Sequence, residues 1–438
     1  MLLSRLTSLY PGWRVMAGAF VSAALAIGFT TYIYGMFVVP VSEEFGISRA
    51  NANNGMIMFL LSMALVAPFT GQLLDRFSAR KVMTVGGLCL GGALMAASQA
   101  QSLWLMLVLI GVPLTFGAAA CGVLGANTVV VRWFERRRGR ALGILALCTS
   151  VGGFFAQPLA ALLIDAFGWR HALFLLGLIA TTTILLLNAF VIRNRPNARE
   201  TGYDAEFDTE PVKVSQSTRP EEAAPPPGRV WTNRELMGNR NFWLMSLGIG
   251  LLFGIDQAVL VSQVPYFQDI GYDLPTTALL VSVKTISAIG GKLVVGYLAD
   301  KVDLRLLFAY VASCSALLMG VYILQPSFVV LLSCVALLGV AVGGVFPVWT
   351  TLMAWLFGAR SYGTVMGLMM IIMQPFAVMA LRFIGEVYDR SGSYIPAFGI
   401  FIGLVITAIV LIRLIRLDDH TAAAGAEASP SPRAEAAP

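Results

Sequence analysis

The chain carries very little charge for its length. Of its 438 residues, only 12% are charged, 57% are hydrophobic, and the mean hydropathy is +0.77. Soluble globular proteins carry about 25% charged and about 45–50% apolar residues. The polar residues are too few to cover a folded chain of this length in water, so the composition indicates a membrane protein and excludes an ordinary soluble domain.

Clusters of histidine and cysteine are also missing. The two histidines, His171 and His420, lie far apart, and the five cysteines all fall inside apolar stretches without metal-ligand spacing. We therefore expect no metal site, no cofactor and no catalytic residues, and an enzyme is the least favoured class. The net charge of +6 does not indicate nucleic-acid binding, because the basic residues stand between apolar segments rather than on one solvated face.

Long apolar runs dominate what is present. A helix needs roughly 20 apolar residues to cross about 30 Å of hydrocarbon. The runs do not alternate polar and apolar residues as barrel strands do, so we predict an all-α protein with twelve transmembrane helices in the lipid bilayer. The predicted spans are 15–40, 53–74, 82–99, 103–131, 141–165, 171–192, 242–266, 277–299, 306–324, 328–356, 362–385 and 395–415.

Basic residues collect in the loops on one side of these spans. The loops after even-numbered spans hold most of the lysine and arginine, whereas the opposite loops hold few bases and several acids. Basic loops stay in the cytoplasm, so we predict a multi-pass inner (plasma) membrane protein with both termini cytoplasmic. The basic residues of these loops are Arg76, Arg80, Lys81, Arg132, Arg136, Arg137, Arg138, Arg140, Lys301, Arg305 and Arg360.

A polar stretch divides the chain into two halves. Residues 197–230 are rich in Pro, Glu, Ser and Thr and have no apolar period, which is typical of a disordered linker. We therefore predict a six-helix bundle over 1–192, a largely disordered cytoplasmic linker over 193–240, a second six-helix bundle over 241–416 and a disordered cytoplasmic tail over 417–438.

The two halves share an internal repeat. Matches that keep one register across most of a half are hard to obtain by chance. We therefore expect two pseudo-symmetric bundles, the architecture of transporters whose halves rock around a midplane site. The matched pairs are Gly46 and Gly271, Gly71 and Gly296, Asp75 and Asp300, Arg76 and Lys301, and Arg80 and Arg305 at an offset of 225, and Gly139 with Gly363 and Gly143 with Gly367 at an offset of 224.

The repeated string suggests a gate at the cytoplasmic ends of the helices. Gly71 and Gly296 would let neighbouring helices approach closely. Asp75 and Asp300 would pair with arginine or cap the next helix, and such a pair would lock the halves together until they rock. The predicted gate residues are Gly71, Asp75, Arg76, Arg80, Lys81, Gly296, Asp300, Lys301 and Arg305.

A family resemblance emerges at the same residues. The string Gly-Gln-Leu-Leu-Asp-Arg-Phe-Ser-Ala-Arg-Lys over 71–81 resembles the cytoplasmic loop signature of the major facilitator superfamily, departing at Ala79, where the family often has Gly. Other segments look like its monocarboxylate transporter and oxalate:formate antiporter branch. The resemblance implies the major facilitator fold and a small organic anion as substrate. The segments that resemble this branch are 11–14, 34–49, 132–143 and 385–394.

Four charged residues stand out in the interior of the predicted spans, and all four lie in the second half. Each costs about 2.5–3.5 kcal/mol near the bilayer centre and so needs a partner or a purpose. They are Asp256, Lys284, Lys292 and Arg382, and their repeat counterparts are the uncharged Thr31, Phe59, Ala67 and Pro158. The one-sided distribution favours a charged site added to one bundle over an inherited structural ion pair.

The depths of three of these groups place Asp256 between the two lysines. Counted from the outer ends of their helices, Lys284 lies about 12 Å deep, Asp256 about 18 Å and Lys292 about 24 Å. Asp256 can reach either lysine, so one interpretation is a neutralising Asp256–Lys284 pair that only permits insertion, and another is that Asp256 carries a proton. One acid cannot neutralise two lysines, so Lys292 remains available for an anion such as a substrate carboxylate.

The resemblance points to the same lysine. In this branch a helix-8 basic residue, usually Arg, stands four positions before the glycine of the second loop signature and binds the substrate carboxylate. Here that residue is Lys292, four positions before Gly296. The alternative is a lysine that snorkels to the cytoplasmic face. Arg382 is either a surface pair with Glu386 at i+4 or an outer-gate or substrate cation.

Four further candidates are uncharged. Tyr34, Asn127, Gln263 and Trp349 lie in predicted helices 1, 4, 7 and 10, which line the cavity in this superfamily. Each is a candidate substrate contact, and each has the alternative of a packed helix–helix contact.

The sequence therefore predicts a secondary active transporter of a small mono- or dicarboxylate, which works by alternating access as a proton symporter or an anion exchanger, and a monomer is expected. One alternative is an efflux pump or sugar-type porter of the same fold, although the excess of membrane bases is unfavourable for an exporter of cationic drugs. A non-transporting sensor is another, although residues 193–240 and 417–438 are short and polar for a folded signalling domain.

Overall fold

The computed structural model describes residues 11–134, 138–193, 231–299, 301–358 and 361–415. Within these ranges no residue belongs to a β-strand, and eleven helical stretches are long and apolar enough to cross a membrane. The prediction of an all-α membrane protein is therefore confirmed.

The polar parts of the chain are only partly covered. The stretch on which the prediction of a disordered linker rests and the predicted disordered tail fall on 194–230 and 416–438, outside the described residues. The last part of the predicted linker is described and contains a short helix, Asn233–Gly238, closed by a capping box between Thr232 and Glu235.

We number the membrane-crossing helices α1 to α12. The face where α1 begins and α12 ends is called proximal below, and the opposite face distal. The helices are α1 (Pro11–Phe45), α2 (Arg49–Arg76), α3 (Ala79–Ser98), α4 (Leu103–Trp133), α5 (138–167), α6 (169–190), α7 (Arg240–Asp269), α8 (Leu274–Ala299), α9 (Leu304–Leu324), α10 (Phe328–Phe357), α11 (Tyr362–Ser391) and α12 (Ile395–Arg413).

The fifth and sixth helices form one continuous stretch that reverses at a glycine. Ala141–Phe190 has 50 residues and would be about 75 Å long if straight, far more than a bilayer requires. It breaks at Gly168, where φ is 77° and ψ is 162°, a conformation that glycine adopts without steric cost. The eleven stretches therefore contain twelve crossings, as the sequence predicts.

The repeat reappears in the turns of the distal face. Gly46 and Gly271 end α1 and α7 with φ of 59° and 98°, and Gly168 and Gly392 end α5 and α11 with φ of 77° and 67°. These pairs are 225 and 224 residues apart, the same offsets that align the two halves of the sequence. Left-handed turns favour glycine, so the repeated glycines give the two halves the same chain reversals.

Close helix packing in the second half depends on one of two adjacent glycines. At Gly291, in α8, an added Cβ would overlap the backbone of α10, lying 2.7 Å from the carbonyl carbon of Val340, whereas at Gly290 it would meet nothing within 4 Å. Because the two glycines are adjacent on the same helix, alanine changes helix propensity equally at both. A difference between the two substitutions therefore reports the packing contact.

We predict that Gly291→Ala destabilises the protein and Gly290→Ala does not. Overpacking costs about 1–3 kcal/mol, whereas at a helix position with free space for a Cβ alanine is favoured over glycine by up to about 1 kcal/mol. Thermal unfolding of both variants in the same detergent measures the difference. A Gly291→Ala melting temperature equal to that of Gly290→Ala would contradict this account of the α8–α10 contact.

Candidate functional site

Two lysines and one aspartate lie at mid-depth in the second half. Lys284 of α8 donates a 2.9 Å hydrogen bond to Oε1 of Gln263 of α7. Asp256 lies two turns before Gln263 on α7, near enough for its charge to act on Lys284. Among the described residues, however, Asp256 and Lys284 do not form an ion pair. In this conformation an amide, not the acid, binds Lys284 directly.

Lys292 lies at the boundary between the two halves of the molecule. Its Nζ donates a hydrogen bond to Oγ1 of Thr149, which belongs to α5 in the first half. Seven residues earlier on α8, Thr285 donates to Oε1 of Gln157 of α5 at 3.4 Å. We call these four residues, Thr149, Gln157, Thr285 and Lys292, the α5–α8 seam.

The spacing of the seam follows from helix geometry. Thr285 and Lys292 are seven residues apart, about 10 Å along one face of α8, and Thr149 and Gln157 are eight apart, about 12 Å along α5. The two antiparallel helices therefore present matching polar positions at two levels. Gln157 is fully buried and also donates to the carbonyl oxygen of Tyr32 at 3.4 Å, which connects the seam to α1.

The charge of this region is unbalanced. Two lysines and one aspartate occupy mid-depth positions on α7 and α8, about 15 Å (Lys284), 20 Å (Asp256) and 27 Å (Lys292) from the distal ends of their helices. A group of this kind favours an anion, because a buried ammonium without a counter-ion is costly. A carboxylate at Lys292 could accept hydrogen bonds from Nζ and from the hydroxyl of Thr149.

The four uncharged candidates separate in the structure. Gln263 contacts Lys284, and its Nε2 is buried without a partner. Tyr34 donates to the carbonyl oxygen of Ala52 at 2.6 Å and lines an apolar cavity of about 80 Å³ inside the first half. Trp349 is 3% exposed and its indole nitrogen has no partner. Asn127 is half-buried in α4. Of these four, Gln263 contacts a charged candidate.

An aspartate of the second half closes the distal face by capping a helix of the first half. The carboxylate of Asp389, near the end of α11, accepts hydrogen bonds from the backbone N–H groups of Arg49 (2.9 Å) and Ala50 (3.1 Å) at the start of α2. Negative charge is favourable at a helix N-terminus. An added Cβ at Gly385 would lie 2.5 Å from Cα of Ala50, so the two helices meet backbone to backbone.

Arginines reinforce this closure from both halves. Arg49 binds Asp269 of α7 at 3.3 Å. Arg382 forms the predicted i+4 ion pair with Glu386 at 2.8 Å and also reaches Oδ1 of Asn51 across the boundary at 3.2 Å. Arg382 therefore lies with the distal contacts and not with the mid-depth lysines. Asn53 of α2 also donates to the carbonyl oxygen of Leu381 of α11 at 2.9 Å. We call these contacts between the halves the distal latch, which consists of Arg49, Asn51, Asn53, Asp269, Arg382 and Asp389.

At the proximal face the repeated arginines tie helices together within each half. Arg80 donates to the carbonyl oxygen of Ala189 at 2.7 Å, at the end of α6, and Arg305 donates to that of Ile415 at 2.9 Å, just after α12. Asp303 caps α9, and the neighbouring Arg305 guanidinium lowers the pKa of its carboxyl group. The repeat thus gives both halves the same internal tie.

The remaining gate candidates make different contacts from those predicted. Asp75, Arg76 and Lys81 are exposed, Ser78 caps α3, and Lys301 lies over the ring of Tyr297 at 4.2 Å. Asp300 lies outside the described residues. A proximal ion pair that locks the halves together stays a prediction.

The predicted close approach at two motif glycines is not found. An added Cβ at Gly71 or Gly296 would meet no atom of the described residues within 4 Å. Both glycines lie near the proximal ends of their helices, α2 and α8. The close approaches occur deeper in the bundle, for example at Gly152, whose added Cβ would lie 2.9 Å from the carbonyl carbon of Ala24, and at Gly291.

Sequence reasoning missed Thr149, Gln157, Thr285 and the role of Asp389. The search for costly residues inside spans selects charges and passes over neutral hydroxyls and amides. Gln157 was the available signal, because it is an amide in the middle of an otherwise apolar helix. Asp389 stands in one of the segments that carry the family resemblance, but its partner is 340 residues away.

Two pseudo-symmetric halves of six membrane-crossing helices, with ionisable groups at mid-depth beside the boundary between them, define a membrane transport protein. The chain belongs to the Major Facilitator Superfamily, whose family model matches residues 19–381. The predicted fold and the predicted transporter class are confirmed.

Relatives in sequence cover most of the chain at low identity. The uncharacterized MFS-type transporter YcxA of Bacillus subtilis is 23% identical over 406 residues, which are 90% of this chain and 93% of the relative. Monocarboxylate transporter 12 of Rattus norvegicus is 26% identical over 408 residues (88% and 82%). Monocarboxylate transporter 2 of Homo sapiens is 25% identical over 402 residues (87% and 80%).

Solved structures share the fold. One is a bacterial homolog of the human lysosomal transporter Spinster in an inward-facing and occupied conformation. Its TM-score is 0.67 at 16% identity, and the alignment covers 93% of this chain and 97% of that chain. A variant of the nucleoside transporter NupG has a TM-score of 0.70 at 13% identity, with 92% of this chain and 99% of that chain aligned.

Proposed function

We propose that this protein is a secondary active transporter of a small organic anion with one or two carboxylates. The observation that carries the proposal is the unbalanced mid-depth charge, two lysines and one aspartate, with Lys292 at the α5–α8 seam. Relatives named monocarboxylate transporters, about a quarter identical to this chain, give independent but weaker support.

Lys292 is the proposed carboxylate ligand because of what its ammonium group contacts. It is bound by a hydroxyl of the opposite half, so any relative motion of the halves changes its surroundings. A carboxylate between Lys292 and Thr149 would neutralise the lysine and link the two halves. Lysine supplies a point charge instead of the planar fork of arginine, so selectivity would rest on the rest of the cavity.

Transport would proceed by alternating access. The distal latch holds one face shut, and its release would open the site to that side. The predicted proximal gate, built on Asp75 and its neighbours, would close the other side in turn. Because these latch contacts are polar, they can exchange with water as the halves move.

The coupling ion follows from the role of Asp256. If Asp256 carries a proton, the protein is a proton symporter, and if it only balances Lys284, anion exchange drives transport. Uptake driven by a pH gradient into vesicles without internal anion distinguishes the first from the second. We place the proximal face in the cytoplasm of a cell with an inner membrane, following the positive-inside rule, and the working unit as a monomer.

A thermal-shift panel on the purified full-length protein tests the substrate class. Bound ligand at 100 times its dissociation constant adds about 2.7 kcal/mol to the stability of the native state. We predict that mono- or dicarboxylates raise the melting temperature and that sugars and lipophilic cations do not. Stabilisation by sugars or lipophilic cations alone would overturn the proposal in favour of a sugar-type porter or an efflux pump.

A further inference from the structure

A second cavity opens at the distal face of the second half, away from the mid-depth charges. It has a volume of about 450 Å³. Asp269, on its wall, lies thirteen residues along α7 from Asp256, about 20 Å, so the two sites are separate. The cavity is lined by Tyr266, Asp269, Ile270, Gly271, Gln325, Tyr388, Gly392, Ser393 and Tyr394.

Aromatic rings and one carboxylate form the walls of this cavity. Tyr388 and Tyr394 stack with their centroids 4.5 Å apart, and Tyr266 meets Tyr394 edge-on at 6.4 Å. Asp269 supplies a negative charge beside them. Aromatic faces combined with a carboxylate favour an organic cation over an anion or a neutral solute.

A guanidinium group already occupies the edge of this cavity. Arg49, which comes from the other half of the molecule, binds Asp269 at 3.3 Å, and its guanidinium carbon lies 4.9 Å from the ring centroid of Tyr388. Its Nη1 is buried without a hydrogen-bond partner in the described part of the chain. Asp269 and Tyr388 thus already bind one guanidinium group, and that group leaves one of its own nitrogens without a hydrogen bond.

The backbone around the cavity is built for access from the distal side. Three chain reversals contribute to its walls, those after α7, α9 and α11, and each contains a residue with positive φ: Gly271 (98°), Gln325 (46°) and Gly392 (67°). A positive φ is uncommon for glutamine. Tyr266, Asp269 and Tyr388 lie at the distal ends of α7 and α11, and the turns carry the other lining residues, so a ligand can reach the cavity from the distal side.

We propose that this cavity is a binding site for a small organic cation with a guanidinium or ammonium group. The cation would contact Asp269 and the face of Tyr388 that Arg49 now covers, and so would compete with Arg49. Binding would release α2 from α7 and weaken the distal latch. The ligand would therefore act as an effector that favours the distal-open conformation, and it is distinct from the transported anion.

Arg49 is part of the same chain as the cavity, and this sets the ligand concentration at which a free cation can displace it. Arg49 is held beside the cavity at an effective concentration in the millimolar range, so a free cation must exceed that range to displace it. Removal of the arginine side chain ends the competition. Arg49→Ala should therefore bind a guanidinium compound at concentrations about tenfold or more below those that the natural chain requires.

The test uses the full-length protein in lipid nanodiscs, with methylguanidinium as the probe and methylurea as its neutral counterpart of similar shape. We expect methylguanidinium, and not methylurea, to raise the melting temperature of Arg49→Ala. Adding Asp269→Asn should weaken this binding about tenfold or more, because a charge-assisted hydrogen bond is lost. Adding Asp273→Asn, an exposed carboxylate on the same face, should leave it unchanged.

A distance measurement tests the same site in the natural latch. Spin labels are attached at Gln101 and Ser327, which are exposed on distal loops of opposite halves, so the distance between them reports the opening of that face. The half-buried Cys89 and Cys334 are replaced by alanine so that they do not take up label. Methylguanidinium should lengthen this distance and methylurea should not. Any one of three results would overturn the proposal. The two compounds have equal effects, methylguanidinium has no effect in either experiment, or Asp269→Asn leaves binding unchanged.

Discussion

Replacement of Lys292 by glutamine is expected to lower carboxylate uptake at least about 30-fold, because truncating one partner of a buried, hydrogen-bonded charge pair costs about 2–5 kcal/mol. The fold should persist. Glutamine can still donate to Thr149, which Lys292 contacts in the structure, and the variant no longer carries the desolvation cost of an ammonium group.

The measurement is the initial rate of labelled carboxylate uptake into proteoliposomes with matched protein content. Lys292→Arg is the conservative control, because it keeps the charge at this position and should retain measurable uptake. Size-exclusion elution and melting temperature of both variants report folding. Undiminished uptake by well-folded Lys292→Gln would remove the central residue from the proposed mechanism.

Replacement of Gly385 by valine should hold the distal face open. The added Cβ would lie 2.5 Å from Cα of Ala50, and backbone atoms cannot move aside as a flexible side chain can. Because Asp389 caps α2 one turn away, the wedge would also separate that carboxylate from its helix. A carrier that cannot close one face cannot complete its cycle. Such overpacking costs about 1–3 kcal/mol, so uptake should fall at least about fivefold.

Gly367→Val provides a matched control on the same helix. An added Cβ at Gly367 meets nothing within 4 Å, so both variants share the helix-propensity change and differ in the contact. The distance between labels at Gln101 and Ser327 should lengthen in Gly385→Val and stay unchanged in Gly367→Val. A distal distance and an uptake rate in Gly385→Val equal to those of the control would refute the role given to this contact.

The helices and their repeat could be predicted because their physical signals are local. Each span needs its own apolar run, so a window of about 20 residues detects it. The chain reversals need positive φ, and glycine is the residue that supplies it, so the paired Gly46 and Gly271 are visible in the sequence as a repeated turn signal. The bend at Gly168 joins two predicted spans into one continuous stretch.

Part of the site was predictable because charge inside a membrane is costly. The cost makes Asp256, Lys284 and Lys292 conspicuous among apolar residues. The structure adds that Gln263 and Thr149 are the hydrogen-bond partners of the two lysines. Amides such as Gln157 and Gln263 stand out in an apolar helix, whereas Thr149 is one of many hydroxyl residues, and nothing in the sequence distinguishes it from the others.

The contacts between the halves could not be predicted from sequence. Thr149 and Lys292 are 143 residues apart, and Asp389 caps a helix 340 residues before it. Which faces of α5 and α8 meet depends on crossing angles set by the packing of all the helices. The same limit explains the error at Gly71 and Gly296, where small size was visible in the sequence but the lack of a close neighbour among the described residues was not.

The most direct test of the central claim is substrate counterflow with the natural protein in proteoliposomes. Vesicles preloaded with an unlabelled mono- or dicarboxylate should accumulate the labelled anion transiently, with saturation, and sugars should not compete. Counterflow needs no choice between proton symport and exchange, so it tests the substrate class alone. Carboxylate accumulation no faster than in protein-free vesicles, together with counterflow of a sugar or a lipophilic cation, would contradict the organic-anion account while leaving the fold intact.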